Sequence, residues 1–140
     1  MPGQYVTYQD YQYYKVRDAA ILTNGYVAGN VIGNDTDFTS NPMSLQNQLV
    51  LLIDFTLGSL TSCDIKIEVG AVSTDFYQLL DPTSFSAGTG AIVPFIIHLT
   101  ATSKFAYAIP TKYRYVKVSA IGNGTVTSSS LSINSIIGVA

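Results

Sequence analysis

Acid–base, nucleophilic and metal chemistry all need titratable side chains brought together, and this chain has few to bring. His98, Cys63 and Glu68 are each the only residue of their type. Asp35, Asp37, Asp54, Asp64, Asp75 and Asp81 supply most of the other carboxylates. A Ser-His-Asp or Cys-His arrangement would depend on His98, which lies in the middle of the apolar run Phe95-Ile96-Ile97-His98-Leu99, where a histidine reads as structural. His98 and Cys63 alone cannot close a tetrahedral zinc site. No carboxylate spacing singles out an acid–base pair, since most of these residues fall at turns or on solvent faces of strands. Gly88-Thr89-Gly90 and Gly122-Asn123-Gly124 lack the strand-to-helix setting of a phosphate loop and read as turns. Asn34-Asp35-Thr36-Asp37 offers oxygens for calcium. Counted from Asp35, however, the sixth position is Ser40 and the twelfth Gln46, so the EF-hand pattern fails and solvated turn residues fit better. The expectation is a protein that is not an enzyme and has no cofactor or metal.

Composition turns attention from chemistry to packing. The chain has 140 residues, 47% of them hydrophobic and only 11% charged, with ten tyrosines and no tryptophan. An ordinary soluble domain is about 25% charged. A polar but nearly uncharged surface suits a subunit packed into an assembly. The net charge of −2 and the lack of a Lys/Arg cluster argue against a nucleic-acid partner. One cysteine cannot form an internal disulfide, and a buried thiol is the expected state of Cys63. The N-terminus has neither a basic region nor an apolar core of the kind a signal peptide needs. The apolar runs at 49–53 and 92–99 are too short to cross a bilayer as helices, so no membrane partner is expected and synthesis in the cytoplasm is.

Two stretches alternate as half-buried strands do. Cys63 to Val69 places Ile65, Ile67 and Val69 on one face and Asp64, Lys66 and Glu68 on the other. Tyr113 to Ala120 places Val116, Val118 and Ala120 inward and Tyr115, Lys117 and Ser119 outward. After the glycines at 122 and 124, Thr125 to Ile133 is expected to return as its partner strand. Gln48 to Phe55 is apolar on both faces, as a central strand or one under a subunit interface would be. Arg17 to Val27 predicts one or two short strands, and Phe76 to Leu80 is extended. Ala91 to Thr100 holds Pro94, which places it at a sheet edge or a bulge. Segments 29–41, 70–75 and 81–90 read as loops. The apolar tail 135–140 either completes a strand or docks on another subunit. With about eight short strands and no amphipathic helix, the chain predicts an all-β antiparallel β-sandwich of jelly-roll type.

The N-terminal stretch carries Tyr5, Tyr8, Tyr11, Tyr13 and Tyr14 among Gln, Thr and Asp. Tyrosine buries a large ring while its hydroxyl finds a polar partner, which suits an adhesive arm. A first strand laid across the chain's own sandwich is the equal alternative. We draw the arm as 1–14 and the sandwich domain as 15–140.

Ile65-Lys66-Ile67-Glu68, then Asp75-Phe76-Tyr77-Gln78, and later Tyr113-Arg114-Tyr115-Val116-Lys117-Val118 with Gly124-Thr125-Val126-Thr127-Ser128-Ser129-Ser130-Leu131, resemble two families. One is the auxiliary and decoration proteins of phage virions. The other is the galactose-binding-like jelly roll of discoidin and carbohydrate-binding modules. The likeness covers residues 63–80 and 104–133. The first resemblance implies a structural protein of a bacteriophage virion, a homotrimer that decorates and cements the capsid by binding the major capsid protein or another virion protein, with Tyr5, Tyr8, Tyr11, Tyr13 and Tyr14 gripping the shell. The second implies a glycan-binding module of a fibre or adhesin, with Asp75, Tyr77, Arg114 and the 81–90 loop at the site. Unlike the sugar-binding relatives, the turn at Ser73-Thr74-Asp75 has no glycine and the chain has no Trp.

Overall fold

The computed structural model describes residues 11–32, 48–80, 94–109 and 115–138. Nine strands account for most of them: β1 Tyr11–Ala20, β2 Val27–Ala28, β3 Gln48–Thr56, β4 Leu60–Val72, β5 Asp75–Gln78, β6 Ile96–Leu99, β7 Ser103–Ala108, β8 Tyr115–Gly124 and β9 Ser130–Gly138. They form two antiparallel sheets, one in the order β1-β9-β3-β7 and the other in the order β2-β8-β4-β5, with β6 also paired to β4. Both β5 and β6 lie on the same side of β4. The first pairs with Glu68–Val72 and the second with Cys63–Lys66. Together they make one edge strand, interrupted by an excursion whose base is the single bridge between Leu80 and Pro94. Counting that broken edge as one position leaves two sheets of four, and every connection except β4–β5 and β5–β6 crosses between sheets. That is the jelly roll expected from the sequence.

The period of two decides which side chains meet. Leu49, Leu51, Ile53 and Phe55 of β3 and Leu131 and Ile133 of β9 face Cys63, Ile65 and Ile67 of β4 and Val116, Val118 and Ala120 of β8, and all of them are buried. Each large aliphatic or aromatic side chain in such a layer contributes about 1.5–3 kcal/mol. An exposed ion pair contributes about 0–1 kcal/mol. The apolar layer, not the sparse charge, therefore holds the sheets together. Phe95 and Tyr107, with ring centroids 5.6 Å apart, close one side of the sandwich across the two sheets.

Several expectations are revised. Tyr115 to Ala120 and the chain after Gly124 are not hairpin partners: β8 pairs with β2 and β4, whereas β9 lies in the opposite sheet between β1 and β3. The five residues between them turn a corner instead of reversing, so the inward faces of both strands meet across the core. Residues 70–72 extend β4 instead of opening a loop, and the turn shrinks to Ser73-Thr74. The tail completes β9 as far as Gly138. Pro94 does precede an edge strand, whose regular part among the described residues is Ile96–Leu99. Among the described residues, backbone pairing is already present at Tyr11, opposite Gly138, so Tyr11, Tyr13 and Tyr14 belong to a strand of the sandwich. The Asn34–Asp37 segment lies outside the described residues.

Two of the sheet-crossing corners brace each other. Gly58, in the turn between β3 and β4, has φ +58°. A Cβ there would lie 2.2 Å from the carbonyl oxygen of Ser128, in the corner between β8 and β9. Ser59 N donates to Ser128 Oγ at 2.9 Å, and Ser59 Oγ donates to the Thr125 carbonyl at 2.8 Å. Leu22 N donates to the buried Ser129 Oγ, which donates in turn to the Val126 carbonyl. Both the left-handed backbone and the close approach demand glycine at 58. Urea unfolding should therefore show Gly58→Ala destabilised by about 1–3 kcal/mol. Gly25→Ala, with nothing within 4 Å of the added methyl, should stay within about 0.5 kcal/mol of the parent.

Candidate interaction surfaces

Asp64, Lys66 and Glu68 alternate with the buried residues of β4 and so face outward on the five-stranded sheet. Register then chooses their neighbours. Asp64 lies between His98 of β6 and Ile121 of β8, Lys66 between Ile96 and Ser119, and Glu68 between Gln78 and Lys117. His98 Nδ1 is 2.5 Å from Asp64 Oδ1. Asn123 Nδ2 donates to Asp64 Oδ2 at 3.2 Å and to Ser62 Oγ at 2.9 Å. One carboxylate thus ties the edge strand β6 and the central strand β8 to β4. Farther along, Glu68 Oε1 is 3.8 Å from the ammonium groups of both Lys66 and Lys117. Lys66 also sits 4.4 Å from the ring centroid of Tyr26, and Lys117 sits 4.8 Å from that of Phe76.

Among the described residues, this row of polar groups is a place to look for catalysis. An Asp–His pair orients an imidazole, as hydrolytic sites require. Here the nearby hydroxyl, Ser62, is buried and accepts a hydrogen bond from Asn123. Among the described residues no three His, Cys, Asp or Glu side chains converge as a metal would need. The groups bind each other and link β6 and β8 to β4.

The hairpin between β4 and β5 presents a different surface. Val72 and Tyr77 are strongly exposed, Tyr77 at 66%. Tyr77 Oη donates to Asp75 Oδ2 at 3.3 Å. The structure therefore brings together two of the residues expected at a glycan site, on a tip that displays an aromatic face with a carboxylate beside it. Arg114 and the 81–90 loop lie outside the described residues. A second exposed apolar group, Tyr26, Val27 and Val31, lies along the short strand β2 and the segment after it.

Of the five tyrosines expected to form an arm, Tyr11, Tyr13 and Tyr14 belong to β1, their backbones opposite Gly138, Ile136 and Ser135. Tyr5 and Tyr8 lie outside the described residues. Nothing in the sequence signals the pairing of His98 with Asp64, because 34 residues separate them and the register of β6 on β4 depends on the whole sheet. The outward position of Asp64 was legible, and its partner was not.

Cys63 is completely buried in the core. Burial pushes its thiol up to about 11, the Asp64 carboxylate adds to the shift and Arg17 opposes it. Burial likewise raises the phenol of Tyr107, and burial and then Asp64 raise that of Tyr26.

No family model matches the sequence, and no curated protein matches it. Among solved structures, the fold is similar to that of a chain from the Bacillus endospore appendages that form a novel family of disulfide-linked pili. The TM-score is 0.52 at 11% identity, over 92% of this chain and 88% of that one. At that identity the likeness is one of fold.

The environment of Cys63 gives a pH dependence with a definite sign. The unfolded thiol ionises near its ordinary value of 9 while the folded one holds its proton to about 11. Stability is therefore fully present below pH 9 and declines as pH rises toward 11. Cys63→Ala should flatten that alkaline decline in urea titrations, and the native thiol should stay unreactive toward a soluble disulfide reagent until urea unfolds the chain.

Proposed function

We propose that this chain is a structural subunit of a bacteriophage virion, a jelly roll that as a homotrimer decorates the assembled capsid and cements it. The observation that carries this reading is the division of labour on its surface. Its histidine, both lysines of the five-stranded sheet and the carboxylates facing them are consumed in pairing with one another, while Tyr26, Val27, Val31, Val72 and Tyr77 stand exposed. Such a surface is equipped to adhere. The fold likeness to a chain from disulfide-linked pili supports the idea that a sandwich of this shape can be repeated into an assembly. Disulfide linkage does not carry over, because the one cysteine here is sealed in the core.

Cementing follows from binding the assembled shell and not its free components. Each contact is weak, and symmetry repeats it until the shell is stabilised by linkage. Localisation to the virion and contact with the major capsid protein or another virion protein are parts of the same proposal. Purified chain mixed with shells that lack it should co-sediment to a saturating ratio and raise the temperature at which the shells fall apart. Absence of co-sedimentation would overturn the proposal.

The exposed Tyr77 ring beside Asp75 favours a second reading, a glycan-binding module of a virion fibre. Sugar rings stack their C–H faces on such a ring while their hydroxyls donate to a carboxylate. Binding on a glycan array that falls at least tenfold in Tyr77→Ala would favour this reading over the coat protein.

A further inference from the structure

The two sheets have four edges, and three of them carry a device that prevents pairing with another chain. The β1 edge has two register shifts and is covered by Asn30, whose N–H donates to the Val16 carbonyl and whose side chain donates to the Lys15 carbonyl. The β2 edge is two residues long. The β5–β6 edge is broken by the Leu80–Pro94 excursion and carries His98. The fourth edge, β7, is different. It runs for six residues in unbroken register with β3, and among the described residues no strand pairs with its other side.

Its hydrogen-bonding pattern can be read from one bond. Ile109 N donates to the Leu49 carbonyl, which fixes the alternation along the β3–β7 ladder. Tyr107, Phe105 and Ser103 turn their N–H and C=O groups toward β3, and Ala108, Ala106 and Lys104 turn theirs away. The same three residues place their side chains on the outer face of the sheet, where Ala106 and Ala108 lie opposite Leu52 and Val50. Among the described residues, the edge therefore presents backbone groups with no strand partner beside a shallow apolar step. The one charge, Lys104, sits near its far end, opposite Asp54.

Residues 4–9 of the chain, Gln-Tyr-Val-Thr-Tyr-Gln, are uncharged, free of Pro and Gly, and rich in strand-forming types. They end two residues before β1. Reach decides whose edge they can occupy. A strand added beyond β7 would lie four strand spacings from β1, about 19 Å at about 4.8 Å each. The two steps from residue 9 to Tyr11 span about 7 Å at most. The segment therefore cannot pair along its whole length with the β7 edge of its own sandwich.

We propose that residues 4–9 of one copy add as a strand to the β7 edge of a second copy. The main-chain groups of Lys104, Ala106 and Ala108 would take the hydrogen bonds; Tyr5 and Tyr8, three residues apart, would project to opposite faces, so one ring would cover the Ala106–Leu52 and Ala108–Val50 step and the other would lie on the side of Phe105 and Tyr107. Donor and acceptor are different surfaces, so the contact is head-to-tail and closes as a ring in the proposed homotrimer. The inference rests on the reading of this chain as a repeating subunit. It concerns contacts between copies and so can be tested without a shell.

The test uses full-length chains and their mass in solution by sedimentation equilibrium. Ala106→Pro removes an N–H that the ladder does not use, and Val6→Pro breaks the arm at a position remote from the sandwich. Each variant alone should fall to the mass of one chain. An equimolar mixture should recover a two-chain species, because one variant keeps its arm and the other its edge. Circular dichroism checks that Ala106→Pro is folded, and should it not be, Val6→Pro and its rescue by Val6→Thr carry the test alone. A parent that is a single chain at all concentrations, or a folded variant that keeps the parent's mass, would overturn the proposal. Failure to bind shells with an intact multi-chain mass would overturn only the virion reading.

Discussion

Leu49, Leu51, Ile53, Phe55 and Ile133 on one sheet can leave water only by covering Ile65, Ile67, Val116 and Val118 on the other. The rest of the architecture follows from that constraint. Each strand has one apolar face, so a chain of such strands is stable only as two sheets closed over a single layer. Consecutive strands that alternate between the sheets build the layer from both sides at once, which is why the turn at Gly58 and the corner at 125–129 matter. Their serines and the left-handed glycine hold the crossovers where the two sheets would otherwise splay.

Burial of the apolar faces leaves the outer faces to the few charged residues. On the five-stranded sheet they are spent locally. Asp64 is shared between His98 and Asn123, and Glu68 between Lys66 and Lys117. These half-exposed contacts fix register and edge position more than they add stability, since solvent screens them. Among the described residues, what remains for contact with other molecules is mainly aromatic and aliphatic: the hairpin at Tyr77, the rim at Tyr26 and Val31, and the edge of β7. A surface of that kind suits repeated weak association.

Much of the fold was legible in the sequence because a period of two is a local property. The alternation from Cys63 to Val69, and that of Val116, Val118 and Ala120, is found in the structure with the same residues buried. The membership of strands in sheets was not legible. Whether the chain reverses or turns a corner after Gly124 depends on what β8 and β9 pair with, and those partners lie far away in sequence. The candidate site divides in the same way. Asp75 and Tyr77, two residues apart, meet as neighbours on a hairpin, whereas the pairing of His98 with Asp64 depends on strand register and was invisible. The tyrosine-rich stretch read equally well as an arm and as a strand because tyrosine serves both, and from Tyr11 onward it is strand.

Amide hydrogen exchange on the purified chain, alone and mixed with virion shells, tests the proposed structural role most directly. That role predicts unchanged protection in the core strands β3, β4, β8 and β9, with new protection confined to exposed rims and edges in the bound state. Identical exchange with and without shells would contradict it.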